Sequence, residues 1–261
     1  MPFALADDGT RLYYELSGAG EPLLLIAGRG IDHRLWNIVR PGLARHFLVI
    51  DYDQRGTGQS DKPAQPPYST RGLANDAISV LDHLKISRAH IYGASMGGAV
   101  AQWMAIEHPE RVGGLVLAGT WAGGTHRVAP SPEARAIMDG RDPKRVMDTL
   151  FAHRWTRTRI YRSVWPPVDD PVPSYVDRLH ARASEEHDSW DRLPFIRAPT
   201  LVLQGGDDPV VPSGNARLLV ERTPGAELYV IPRGRHAFFL EFRTRVNRRV
   251  RRFLRDHSFS R

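Results

Sequence analysis

The stretch His90–Trp103, HIYGASMGGAVAQW, passes from a β-favouring run through three glycines around one serine and straight into a helix-favouring run. Gly93, Gly97 and Gly98 weaken the interior of any strand or helix, so their clustering points to a local need for space at Ser95. Gly93-Ala94-Ser95-Met96-Gly97 fits the pattern G-x-S-x-G with a strand before it and a helix after it. In that setting the turn holds the serine in a strained backbone conformation, and its oxygen projects from the carboxyl end of the sheet. The positive end of the following helix lies beside it, and backbone N–H groups there, Met96 first, suit a developing oxyanion. The competing reading is a glycine-rich turn with a purely structural role.

Outward from this turn, strand-like and helix-like runs alternate. RLYYEL, PLLLIAG, FLVIDYD, AHIYG and VGGLVLAGT read as strands; HRLWNIVRPGLARH, TRGLANDAISVLDHLK and SMGGAVAQWMAIEHPE read as helices, the first kinked or divided at Pro41. Leu73, Ala77, Val80, Leu81 and Leu84 recur at helical spacing. Such alternation predicts an α/β fold with right-handed crossovers and a mostly parallel central sheet flanked by helices. After Thr120 the strands vanish until TLVLQG, and the intervening segment holds helical candidates at SPEARAIMD, DPKRVMDTLFAHRW and SYVDRLHARASEE. The expected organisation is a core of residues 1–120 and 198–261 interrupted by a helical cap, or lid, of residues 121–197.

A serine hydroxyl needs a base, and the base needs a carboxylate to orient it. With this elbow the expected chain order is serine, acid, histidine. TLVLQGGDDPVVP, at the penultimate strand, offers Asp207 and Asp208; VIPRGRHAFFLEF, between the last strand and last helix, offers His236. The loop after LLLIAG should supply a second oxyanion donor, the backbone N–H of Arg29. The Arg29 side chain reads as a surface ion pair in preference to a contact with an acidic substrate group. RGTGQS lacks the lysine of a phosphate-binding loop, and no spaced His/Asp/Glu cluster suggests a metal. No cofactor is expected.

Composition excludes other classes. With no cysteine there are no disulfides, thiolate nucleophiles or zinc–cysteine sites. PLLLIAG is far short of the roughly 20 apolar residues that span a bilayer, so no membrane span is expected. MPFALADDGTRLYYELSG lacks a basic region followed by an apolar one, which argues for a cytoplasmic protein. The net charge of +7 raises the question of nucleic acid, but eight of the arginines fall in EFRTRVNRRVRRFLRDHSFSR. There Val246, Val250, Phe253 and Leu254 form an apolar stripe, the mark of an amphipathic closing helix with a solvated basic side rather than a nucleic-acid or membrane surface.

On GASMGG at the elbow, YDQRGTGQSD after the FLVI run, GGDDPVVP at the acid and GRHAFFLE at the base, the chain resembles the α/β-hydrolase family over nearly its whole length. In that family the acid lies three residues after the glycine ending its strand and four before a proline. Gly205, Asp208 and Pro212 meet both spacings, so the resemblance selects Asp208. GIDHRLW, HFLVIDYDQRGTGQS and ASMGGAVAQWMAIEHPERV are similar to the 3-oxoadipate enol-lactonase group and related small esterases. Many relatives carry His-Gly or a serine-containing loop before the oxyanion donor, whereas here AGRG places Arg29 there.

The resemblance implies a serine hydrolase that cleaves a carboxylic ester or lactone of a small, partly apolar substrate through Ser95, Asp208, His236 and an acyl-enzyme. Carbon–carbon bond hydrolysis and cofactor-free peracid formation, as in haloperoxidases, use the same triad. A ligand-binding protein on this fold is the third reading, distinguished by affinity without turnover. The expected pocket draws on Trp155, Trp165 and Trp190 of the cap with Trp121, Phe238 and Val210 beside the triad, although packing alone also explains each aromatic.

Overall fold

Leu23 and Leu25 join one hydrophobic cluster while Leu24 and Ile26 join another. Side chains of a strand alternate between faces, so this strand is buried on both sides. It is β3 (Pro22–Ile26) of an eight-stranded sheet in a computed structural model that describes residues 2–65, 68–140, 142–156 and 172–259. The other strands are β1 (Phe3–Leu5), β2 (Arg11–Ser17), β4 (Leu48–Tyr52), β5 (Ala89–Ala94), β6 (Val112–Ala118), β7 (Thr200–Gly205) and β8 (Glu227–Ile231). Their spatial order is β1-β2-β4-β3-β5-β6-β7-β8. β2 runs antiparallel to β1 and β4, and every other pairing is parallel. β5, β6 and β7 are buried along their whole length, as central parallel strands must be. β1 has only three residues, too few for a periodicity to announce it.

Among the described residues the helices are α1 (Arg40–Leu43), α2 (Thr70–His83), α3 (Met96–Glu107), α4 (Pro132–Gly140), α5 (Pro143–Leu150), α6 (His153–Thr156), α7 (Ser174–Glu185), α8 (Gly214–Arg222), α9 (Phe238–Glu241) and α10 (Arg243–Asp256). Residues of α2, α3 and α8 bury into the cluster on one face of the sheet, and those of α1 and α10 into the other. The stripe Val246, Val250, Phe253 and Leu254 of α10 is buried there. Arg249 of the opposite side pairs with Glu227 of β8, and Arg245 Nε donates to Tyr229 Oη at 2.7 Å.

Pro41 does divide its segment: a 3₁₀ turn at His33–Trp36 is followed by α1, with the proline in the first turn where its missing N–H costs nothing. DPKRVMDTLFAHRW, expected as one helix, breaks at the extended Phe151 between α5 and α6. α4 to α7 all lie between β6 and β7.

Candidate active site

The loops leaving the carboxyl ends of β3, β5, β6, β7 and β8 meet at one end of the sheet, where open α/β sheets place their ligands. Ser95 follows β5 and precedes α3, with φ 54° and ψ −122°, a left-handed conformation that strains any residue with a Cβ. Close approach explains the glycines around it. A Cβ at Gly93 would overlap the Gly97 carbonyl, and one at Gly97 would overlap the carbonyls of Ile26 and Ala27. The Ser95 N–H donates to Ala118 O at 2.9 Å, stitching the elbow to β6.

His236 Nε2 lies 3.0 Å from Ser95 Oγ, and His236 Nδ1 lies 2.8 Å from Asp208 Oδ2. The Asp208 side chain is fully buried, and its Oδ1 accepts the N–H groups of Val210 and Val211, each at 2.9 Å. A carboxylate can only accept, so Nδ1 carries the hydrogen and Nε2 is left as the acceptor facing the serine. Asp207 is exposed and takes no part beyond its backbone N–H, which donates to Gly234 O at 2.9 Å. A Cβ at Gly205 would overlap the carbonyls of Gly234 and Arg235, so the glycine ending β7 is what lets the histidine loop come this close.

Among the described residues, the N–H groups of Arg29 and Met96 have no hydrogen-bond partner. Their loops are held from behind. Gln54 Nε2 donates to Ala27 O at 2.9 Å, and Gly30 N–H donates to His180 Nδ1 at 3.3 Å. His180 Nε2 in turn donates to Arg55 O at 3.0 Å. Burial pushes the pKa of His180 down to about 4, which keeps the ring neutral and able to accept and donate at once. The residue was not singled out from the sequence, but it sits in α7 at helical spacing with the buried Val176 and Ala183.

Arg55 of the RGTGQS loop is itself buried, paired with Asp76 at 2.6 Å and Asp8 at 2.8 Å, so the loop's cation serves the fold. Asp32, His33 and Asp53 form a cluster that no spacing in the sequence announced. Its donor atoms are engaged within the protein: His33 Nδ1 meets Asp53 Oδ1 at 2.7 Å, and Arg34 holds Asp32 at 2.6 Å. Burial alone would lower the pKa of His33, but the carboxylates of Asp53 and Glu15 outweigh it and leave the pKa raised.

Ser95 and His236 open into a cavity of about 380 Å³. Trp121 and Val210 line it. Trp165 lies outside the described residues. Three other expectations are corrected. Trp155 stacks on Phe151 with ring centroids 4.5 Å apart and packs in the core, and Trp190 stacks on His126 at 4.0 Å. Phe238 is fully buried in the core, and its neighbour Phe239 faces the cavity instead, since successive helical residues point about 100° apart. Met138, Met147 and Leu150 complete an apolar wall that the aromatic residues alone did not suggest. The Arg29 side chain reaches Asp177 at 3.8 Å.

A family model described as the alpha/beta hydrolase fold matches residues 21–157 and 168–242. The chain belongs to the α/β-hydrolase family. Its curated relatives include a putative carbamate hydrolase RutD of Azorhizobium caulinodans, 32% identical, the match covering 91% of this chain and 92% of that one. Among solved structures, the meta-cleavage product hydrolase CumD of Pseudomonas fluorescens IP01 superposes with TM-score 0.84 at 26% identity, covering 99% of this chain and 98% of that one. Est816, described as an N-acyl homoserine lactone degrading enzyme, gives 0.83 at 32% identity over 97% and 100%. The enol-lactonase of Burkholderia xenovorans LB400 gives 0.82 at 26% identity over 97% and 99%. The chain is thus an α/β-hydrolase enzyme with hydrolases among its relatives. Among the described residues no helix is long and apolar enough to cross a membrane.

Proposed function

We propose that the protein is a serine hydrolase of small, partly apolar carboxylic esters or lactones. The observation that carries this reading is the continuous hydrogen-bonded chain Ser95–His236–Asp208 opening into a cavity beside two unengaged backbone N–H groups. Ser95 Oγ attacks the carbonyl carbon while its proton passes to His236 Nε2. Asp208 holds the ring in the required tautomer and stabilises its charged form. The N–H groups of Met96 and Arg29 receive the oxyanion; losing one such donor costs on the order of 3 kcal/mol, about a hundredfold in rate. Collapse of the tetrahedral intermediate returns the proton to the leaving oxygen, and a water activated by His236 then releases the acyl group.

Residues 121–197 act as a cap over the core of residues 1–120 and 198–261 in this reading. In support, the cavity takes Met138 and Met147 from the former and Ser95 and His236 from the latter. Ester and lactone chemistry is favoured by the likeness to Est816 and the enol-lactonase. Hydrolysis of a carbon–carbon bond is the second reading, and the likeness to CumD speaks for it.

The test is intact mass after incubation with a fluorophosphonate. A single adduct on wild type, absent from Ser95→Ala and His236→Ala, is the expected result. A folded protein that takes no adduct overturns the reading. A panel of esters, lactones and vinylogous diketones then separates the two chemistries.

A further inference from the structure

Three arginines line the cavity, and two of them are engaged: Arg29 lies 3.8 Å from Asp177, while Arg135 lies 2.9 Å from Glu185 and 3.6 Å from Asp139. The third is Arg127. Among the described residues its guanidinium makes no hydrogen bond and no ion pair; its contact is with the face of Trp121, 4.4 Å from the ring centroid. Arg127 is half-buried, and burial, with Arg135 nearby, outweighs the attraction of Glu185 and holds its pKa below the ordinary arginine value. A guanidinium carries five N–H donors, and those turned away from water are costly to leave unmatched.

Its placement says what can match them. Arg127 is the residue that closes the 3₁₀ turn Gly124–His126, in the segment that follows β6, and it lines the same cavity as Ser95 and His236. The aromatic face 4.4 Å away restrains the guanidinium, whose rigid fork matches a planar, bidentate partner. Much of the remaining wall is apolar, including Leu35, Met138, Met147 and Leu150, and its carboxylates, Asp139, Asp177 and Glu185, pair with Arg135 and Arg29, so an anionic group on a small substrate finds its charge complement at Arg127.

We infer that Arg127 anchors a carboxylate carried by the substrate, making the preferred substrate a monoanionic ester or lactone. The inference rests on the serine-hydrolase reading for its reaction, though not for its binding site.

The experiment compares the 4-nitrophenyl monoester of glutarate with its uncharged methyl diester. Wild type should favour the anion in kcat/KM by ten- to a hundredfold, the range typical of one charge-assisted bidentate contact. Arg127→Gln should abolish that preference by lowering kcat/KM for the anion far more than for the neutral ester, while Arg127→Lys, which keeps charge but loses the fork, should recover part of it. Equal turnover of both esters by wild type, or a preference that survives Arg127→Gln, overturns the inference. Calorimetric titration of glutarate into the Ser95→Ala protein separates the two readings. If no fluorophosphonate adduct forms, yet glutarate binds and Arg127→Gln abolishes binding, the anion site stands and the hydrolase reading falls. If glutarate does not bind, or binds equally well to the Arg127→Gln variant, the anion site falls whatever the chemistry.

Discussion

Replacing Asp208 with asparagine changes one atom, and the local geometry dictates the outcome. Oδ1 of Asp208 accepts two backbone N–H groups, from Val210 and Val211, so an asparagine must keep its carbonyl oxygen there. Its amide nitrogen then takes the place of Oδ2, 2.8 Å from His236 Nδ1. An amide nitrogen only donates, which forces Nδ1 to become the acceptor and moves the ring hydrogen to Nε2. That hydrogen would point at Ser95 Oγ, 3.0 Å away, and the serine would face a donor in place of a base. The wrong tautomer at an equivalent triad costs about four orders of magnitude in kcat, or about 5 kcal/mol of barrier. The side chain is nearly isosteric and its oxygen keeps both amides, so the fold should be retained. We expect Asp208→Asn to slow acylation by a 4-nitrophenyl ester, followed by stopped flow, about ten-thousandfold. Asp207→Asn should leave it within about twofold of wild type. Retention of more than a tenth of the rate in Asp208→Asn would refute the tautomer argument, and a large loss in Asp207→Asn would reassign the acid.

Other consequences are as direct. His180→Ala leaves Gly30 N–H and Arg55 O without their partner, which should cost about 2–4 kcal/mol in urea unfolding; kcat should fall about ten- to a hundredfold with KM little changed, and a fall confined to KM would dissociate the residue from the oxyanion loop. Gly97→Ala would drive a Cβ into the carbonyls of Ile26 and Ala27 and should cost at least about 3 kcal/mol, whereas Gly140→Ala, with open space around it in α4, should gain about 0.5–1 kcal/mol. Burial pushes His180 down to about 4 and His187 to about 3, so both bind protons in the unfolded chain first. Their contribution to stability therefore falls as pH drops below 6.5, by about 1.4 kcal/mol per unit each. Asp51, pushed up to about 6 by burial, works in the opposite sense between pH 6 and its unfolded value. From these three groups stability should fall by about 1.4 kcal/mol per unit between pH 6 and 4, and Asp51→Asn should roughly double that slope; a urea midpoint that rises on acidification would refute the sign.

The parts of the site legible in the sequence are those whose chemistry is local. The elbow is written in consecutive residues because backbone must pass within contact distance of Gly93 and Gly97. The choice between Asp207 and Asp208 needed the family spacing, and its physical basis is that only the second side chain is met by the N–H groups of Val210 and Val211. What stayed hidden depends on partners far along the chain. Trp190 and Trp155 read alike as cavity aromatics until His126 and Phe151 are seen to cover them. His180 became a support for Gly30 across 150 positions of sequence, a relation no periodicity records. Phe238 and Phe239 differ by one helical step, finer than any pattern in the sequence resolves.

Ser95 sits at φ 54°, where a side chain is unwelcome. A glycine there would relax the backbone by about 1–2 kcal/mol. Stability and reactivity thus pull in opposite directions at this one position, and a library sorted for heat resistance alone should drift toward Ser95→Gly, away from the hydroxyl. Thermal selection of this protein calls for a simultaneous screen for turnover, because the proposed nucleophile occupies a point where the chain is held under tension.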